Sequence, residues 1–137
     1  MDFVRGNILF TSSPTLEITG ILDFEKAARG HPSFDIARTL AFLYVDCKYK
    51  EVDQVRRAFL LSGYHRYGRT PYRPVTVRTT LGPYDLLETL IDIFLLYDFY
   101  KFLRHNPYES LSINEHFVRT CQLLAERQLV ERCAVNC

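Results

Sequence analysis

The chain has 137 residues, with 17 basic and 16 acidic side chains and a formal charge of +1. That balance gives no strong pull toward nucleic acid or an acidic membrane surface, and the length supports one hydrophobic core covering about two thirds of the unfolded surface. The longest apolar runs are broken by acids short of a membrane span and the first residues do not read as a signal peptide, so the cytoplasm is the expected location.

In chain order, Asn7 opens the apolar run Ile8-Leu9-Phe10, residues 11 to 15 with Pro14 read as a turn, and Leu16 to Leu22 read as a second strand. Antiparallel pairing of the two brings Asn7 beside Asp23. Four helices are expected to follow. Ser33 is expected to cap the first, which buries Phe34, Ala37, Leu40, Ala41 and Tyr44 and ends near Cys47. The second is expected from Glu51 to Tyr67, with Val52, Val55, Phe59 and Gly63 on one face and Gly68 as its stop. Pro71, Pro74 and Pro83, with Gly82, make residues 69 to 83 an expected irregular loop. Asp85 and Glu88 suit the start of a third helix over 84 to 104, whose apolar run from Leu86 to Phe102 marks it as central. Asn106 and Pro107 end it, and a capping box of Ser112 and Glu115 is expected to start a last helix running to about Glu131. The fold class read from this order is mainly α (α+β), a β-hairpin followed by about four helices. It forms a single domain over 1–137, divided into a hairpin portion 1–32 and a helical portion 33–137.

Asp2, Asn7, Asp23 and Glu25 are the residues with readable chemistry. Phosphoryl transfer to a hydroxyl needs a carboxylate that orients the attacking oxygen and accepts its proton, together with magnesium to neutralise the phosphates. Mg2+ takes oxygen ligands, usually one or two carboxylates plus amide oxygen, water and phosphate. Asn7, Asp23 and Glu25 suit that donor set, and Asp2 remains as the base. Asp23 and Glu25, two apart, leave on one face if the extended conformation persists.

Three segments carry a family resemblance: Asp2-Phe3-Val4-Arg5-Gly6-Asn7-Ile8-Leu9-Phe10, Ile21-Leu22-Asp23-Phe24-Glu25, and Gly30-His31-Pro32-Ser33-Phe34-Asp35-Ile36-Ala37. Together they resemble the aminoglycoside phosphotransferase and choline kinase family of small-molecule kinases with a protein-kinase-like fold. The resemblance covers about the first 45 residues. It implies that Asp2 is the catalytic-loop aspartate, that Asn7 and Asp23 bind Mg2+ and the ATP phosphates, that Glu25 contributes further to the metal site, and that Asp35 supports the catalytic loop. It also implies ATP as phosphate donor and, as acceptor, a hydroxyl of an aminoglycoside, amino alcohol or sugar. Members carry an amino-terminal lobe and a histidine two residues before the catalytic aspartate, neither of which this sequence contains. The chain is therefore expected to supply only the carboxy-terminal lobe and to show little kinase activity by itself, with a missing amino-terminal lobe among its candidate partners beside the small-molecule acceptor.

Each reading has a rival. Asp2 also fits a solvated terminal residue, Asn7 and Asp23 fit turn residues, and Glu25 fits a surface partner for Lys26 or Arg29. Asp98 is weighed as a contact for a cationic substrate against an ordinary helix-surface pair with Lys101. His31, His65, His105 and His116 lack metal-ligand spacing and read as surface or capping residues. Arg66, Arg69, Arg73 and Arg78, among Tyr64, Tyr67 and Tyr72, are better read as a solvated loop than as a nucleic-acid surface. Cys47, Cys121, Cys133 and Cys137 form no Cys-x-x-Cys pair and read as free thiols. The functional alternative to a phosphotransferase is a non-catalytic kinase-like remnant or interaction module.

Overall fold

The computed structural model describes residues 5–12, 14–15, 17–24, 29–67, 72–80 and 82–130. A single 3-10 turn over Arg5–Asn7 leads into β1 (Ile8–Phe10), which pairs antiparallel with β2 (Ile18–Ile21). Ile8 faces Ile21 and Leu9 faces Gly20, and the register slips between Leu9 and Phe10 so that Phe10 meets Ile18. The β2 strand thus begins at Ile18, shorter than the expected Leu16 to Leu22. The long connection is tied by Thr11, whose amide donates to the Glu17 carbonyl and whose hydroxyl donates to the Thr15 carbonyl.

The first helix, α1 (Pro32–Asp46), starts differently from the sequence expectation. His31, not Ser33, is the N-cap: its Nδ1 accepts the Ser33 amide at 3.2 Å, and Pro32 takes the first helical position, where no amide hydrogen is needed. Ser33 is buried at the second helical position, its Oγ 2.9 Å from the same Nδ1. Ile36, Ala37, Leu40, Ala41 and Tyr44 form the inward stripe, whereas Phe34, expected in it, lies on the exposed side.

The expected second helix exists but is not uniform. It is α over Val52–Arg57 (α2), winds as a π-helix over Ala58–Tyr64, and closes with a last α turn, His65–Tyr67 (α3). The expected irregular loop contains a second hairpin, β3 (Thr76–Thr79) with β4 (Gly82–Asp85), in which Arg78 faces Pro83. A two-stranded ribbon has only edges, so proline can sit in it with its missing donor turned away from the partner. Gly82, with φ of +117°, adopts the backbone that the tight return needs.

The long helix α4 (Leu86–His105) follows directly, capped by Asp85, whose Oδ1 accepts the amides of Leu87 at 2.8 Å and Glu88 at 3.3 Å. Asn106 ends it, and one short turn, α5 (Tyr108–Leu111), leads to α6 (Glu115–Glu126). Asn114 rather than Ser112 caps α6, its Oδ1 accepting the Phe117 amide at 3.1 Å. The helix stops at Glu126, short of the expected Glu131, because Gln128 turns into the left-handed region at φ of 58°. Its amide donates to the Ala125 carbonyl while the Leu129 amide reaches back to Leu124, closing the end with a Schellman motif.

The core lies where α4 packs between α1 and α6, with Leu40, Tyr44, Leu87, Ile91, Leu95, Leu123 and Leu124 almost inaccessible. The expected central position of α4 is therefore observed. Its far side is also apolar, leaving Ile93, Leu96, Tyr97, Tyr100 and Leu103 half-exposed. The architecture is helix-dominated α+β with two antiparallel hairpins among the described residues, compatible with part of a kinase-like domain.

Candidate functional site

The β1–β2 ladder continues one step beyond the paired strands, where the Leu22 amide donates to the Asn7 carbonyl at 2.8 Å. This step fixes the distance between the two residues on which the sequence reading rests. The next residue, Asp23, leaves the strand at φ of 63°, a conformation that costs most side chains energy but that aspartate tolerates. Its Oδ2 accepts a long hydrogen bond, 3.4 Å, from Nδ2 of Asn7, sixteen residues earlier. Asp23 is exposed and Asn7 half-buried, so a ligand can reach both.

The hairpin therefore brings together Asn7 and Asp23 as expected. Asp2 and Glu25 lie outside the described residues. Asp35 stands exposed in the first turn of α1, where the helix dipole favours a carboxylate.

The donor chemistry of the pair suits a hard cation. It offers a carboxylate and, after a half-turn of the Asn7 amide, a carbonyl oxygen beside it; Mg2+ characteristically takes few protein ligands and completes its shell with water and phosphate. Among the described residues no group of three or more His, Cys, Asp or Glu side chains gathers to form a metal cage. Asn7 and Asp23 thus form a two-residue polar edge that presents two oxygens once the Asn7 amide has turned. Leu9, Phe10, Ile18, Ile21, Leu22 and Phe24 of the same hairpin segment expose apolar surface.

Other assignments change. Asp98 does not pair with Lys101: its Oδ2 accepts from Nη1 of Arg38 at 2.7 Å, with both side chains largely buried. The Arg38 guanidinium lies 4.0 Å from the centre of the Phe42 ring and 5.3 Å from that of Phe94. These residues are 60 positions apart in sequence, so no local spacing announces the bridge. A second cluster joins Arg56, Glu88, Asp92 and Arg127, tying α2, α4 and the end of α6 together. Of the histidines, His31 caps α1 as described, and His116 faces Asp46 at 3.5 Å. Cys47 and Cys121 form no disulfide among the described residues, and Cys133 and Cys137 lie outside them. Among the described residues no helix is long and apolar enough to cross a membrane.

Comparison with known proteins bears on the same segment. The model of the phosphotransferase enzyme family matches residues 1–73, spanning all three segments quoted above together with β1, β2, α1 and the second helix. No curated protein and no solved structure matches the chain.

Proposed function

The chain belongs to the phosphotransferase enzyme family, and from that premise we propose that it carries the metal-holding part of a site that transfers the γ-phosphate of ATP to a hydroxyl of a small molecule. The observation behind this reading is the Asn7–Asp23 contact at 3.4 Å across the β1–β2 hairpin, made at an exposed carboxylate held in the left-handed region. Strained backbone at an accessible polar residue marks a place where position matters more than stability.

In this reading Asn7 and Asp23 hold Mg2+, and Glu25 adds a third oxygen donor. When bound, the cation supplies neutralisation of the phosphate charge. Asp2 orients the acceptor hydroxyl and receives its proton. Asp35 supports the segment that bears Asp2 from the first turn of α1. The acceptor class is an aminoglycoside, amino alcohol or sugar, and the chain acts as the carboxy-terminal lobe beneath a nucleotide whose other side is covered by a separate lobe. Cytoplasmic ATP and Mg2+ suit this chemistry.

The test uses Mn2+ in place of Mg2+, with ATP present, and follows paramagnetic broadening of assigned amide resonances in the 137-residue chain. Broadening centred on Asn7, Leu22 and Asp23, weakened at least about tenfold in Asp23→Asn, is the expected result, because the substitution keeps the shape and the left-handed backbone while removing the charge. Broadening that is absent, or unchanged in Asp23→Asn, would sink the assignment. In the active protein, Asp2→Asn should lower kcat by about 10²–10⁴-fold while leaving most nucleotide affinity.

A further inference from the structure

A solvent-open cavity of about 340 Å³ lies between the later parts of α1 and α4 and the first half of α6. No residue of the β1–β2 hairpin lines it, and its α4 and α6 walls lie outside residues 1–73, so it is separate from the Asn7–Asp23 edge. Its apolar surface comes from Phe42, Val45 and Phe102. Phe102 is fixed edge-on against Phe117, ring centres 5.7 Å apart, and Phe117 stacks in turn on Phe99, so this wall is pre-formed rather than recruited by a ligand.

The polar groups have one prevailing sign. Among the described residues Asp98 is the one carboxylate lining the cavity, and the Arg38 guanidinium, itself pinned over Phe42, neutralises it at 2.7 Å. Lys101 adds a positive charge with no carboxylate partner among the described residues, its Nζ 5.6 Å from the Tyr97 ring centre, and His105 and His116 add imidazole N–H donors. Asp46 moderates this only at the outer edge, through its 3.5 Å contact with His116. The volume falls within the range of small-molecule sites, which are mostly apolar with a few convergent polar groups. An aromatic wall beneath a cationic rim selects a flat apolar body with an anionic end over a neutral or cationic one.

We propose that this cavity between α1, α4 and α6 is a binding site for a small aromatic carboxylate, with the ring on Phe42 and Phe102 and the carboxylate at Lys101 and His105. The proposal is independent of phosphoryl transfer at the hairpin and stands or falls separately from it.

The experiment titrates the full chain, free of nucleotide, with phenylacetate, its neutral amide and phenethylamine, following assigned backbone amides by heteronuclear NMR. Saturable shifts at Phe42, Lys101, Phe102 and His105 with phenylacetate are expected, about fivefold weaker with the amide and weaker still with the amine. Lys101 and His105 are exposed, so Lys101→Glu and His105→Gln should leave the spectrum folded. Lys101→Glu should weaken phenylacetate about tenfold, and His105→Gln by a smaller factor. Equal or tighter binding of phenethylamine would overturn the proposal by showing that Asp98 governs the cavity. So would unchanged phenylacetate binding in Lys101→Glu, or the absence of saturable shifts at millimolar ligand.

Discussion

Two single residues illustrate how local cost and use are distributed. Asp23 holds a left-handed backbone at the end of β2 and turns its carboxylate toward Asn7. Tyr44 is the opposite case: its ring fills the core at 1% exposure, yet its hydroxyl has no hydrogen-bond partner among the described residues. Burial pushes its pKa up to about 12, and nearby Glu88 adds to the rise while Arg56 and Arg127 oppose it. An unmade hydrogen bond at a buried hydroxyl costs about 1–3 kcal/mol. Tyr44→Phe should therefore leave the stability of the chain unchanged or raise it by about 1 kcal/mol, measured as the urea midpoint at neutral pH. The pH dependence has a definite sign. A phenol that ionises near its ordinary value of 10.0 when unfolded but only near 12 when folded leaves stability intact below pH 10 and lowers it as pH rises toward 12. The native chain should lose about 2–3 kcal/mol more across that window than Tyr44→Phe; parallel pH profiles would show that burial of the phenol is not what sets the shift. The Asn7–Asp23 contact was legible in the sequence because strand pairing is a local consequence of two apolar runs and a turn. The Arg38–Asp98 bridge was not, since it exists only after α1 packs on α4.

At the scale of elements, helix ends separate what spacing can show from what geometry decides. Ser112 and Glu115 have the spacing of a capping box, but Asn114 carries the cap because the turn after α5 places it, and not Ser112, at the last extended position. Asn114→Ala should cost about 1 kcal/mol, and Ser112→Ala only a few tenths, in chemical denaturation. Equal losses would restore the capping-box reading. The prolines hid β3 and β4, because they argue against a central strand and say nothing against an isolated ribbon. The π-helical stretch in the second helix leaves no readable mark, since it is a change of winding and not of pattern. Tertiary charge contacts join these elements. Burial would raise the Glu88 pKa, but the hydrogen bond from Arg127 and the charge and hydrogen bond of Arg56 outweigh it and hold the carboxyl below its ordinary value. Its contribution is therefore present above the unfolded value of 4.5 and is lost as pH falls through the lower folded value. Arg127→Ala should remove about 1–3 kcal/mol at pH 7, because two half-buried carboxylates lose their shared partner. The difference from the native chain should narrow as pH falls through the lowered folded value, as Glu88 becomes neutral in both. A difference that stayed constant into acid would assign the loss to packing of the arginine stem instead.

On the scale of the whole molecule, the helical core and the proposed phosphate site differ in how much apolar surface they bury. Leu40, Ile91 and Leu95 are fully buried where α1 and α4 meet, whereas Leu9, Phe10, Ile18 and Ile21 on the β1–β2 hairpin remain substantially exposed. A two-stranded ribbon with so little buried surface is marginal by itself, so the hairpin should open without unfolding the helices. Native-state hydrogen exchange separates the two events. The Leu22 amide, bonded to Asn7 at 2.8 Å, should exchange through a local opening whose rate barely responds to low urea, while amides within α1 and α4 should follow global unfolding. Ile91→Ala removes a buried side chain and should lower protection across α1 and α4 by about 2–5 kcal/mol while leaving Leu22 nearly unaffected. Adding Mg2+ and ATP tests the link from stability to function, because a ligand that binds the closed hairpin raises its protection in proportion to occupancy. Leu22 should then slow in the native chain and stay fast in Asp23→Asn, with the core amides unchanged in both. Slowing of the core and hairpin together would make the chain one cooperative unit, and slowing of Leu22 in Asp23→Asn as well would place the nucleotide somewhere other than the Asn7–Asp23 edge.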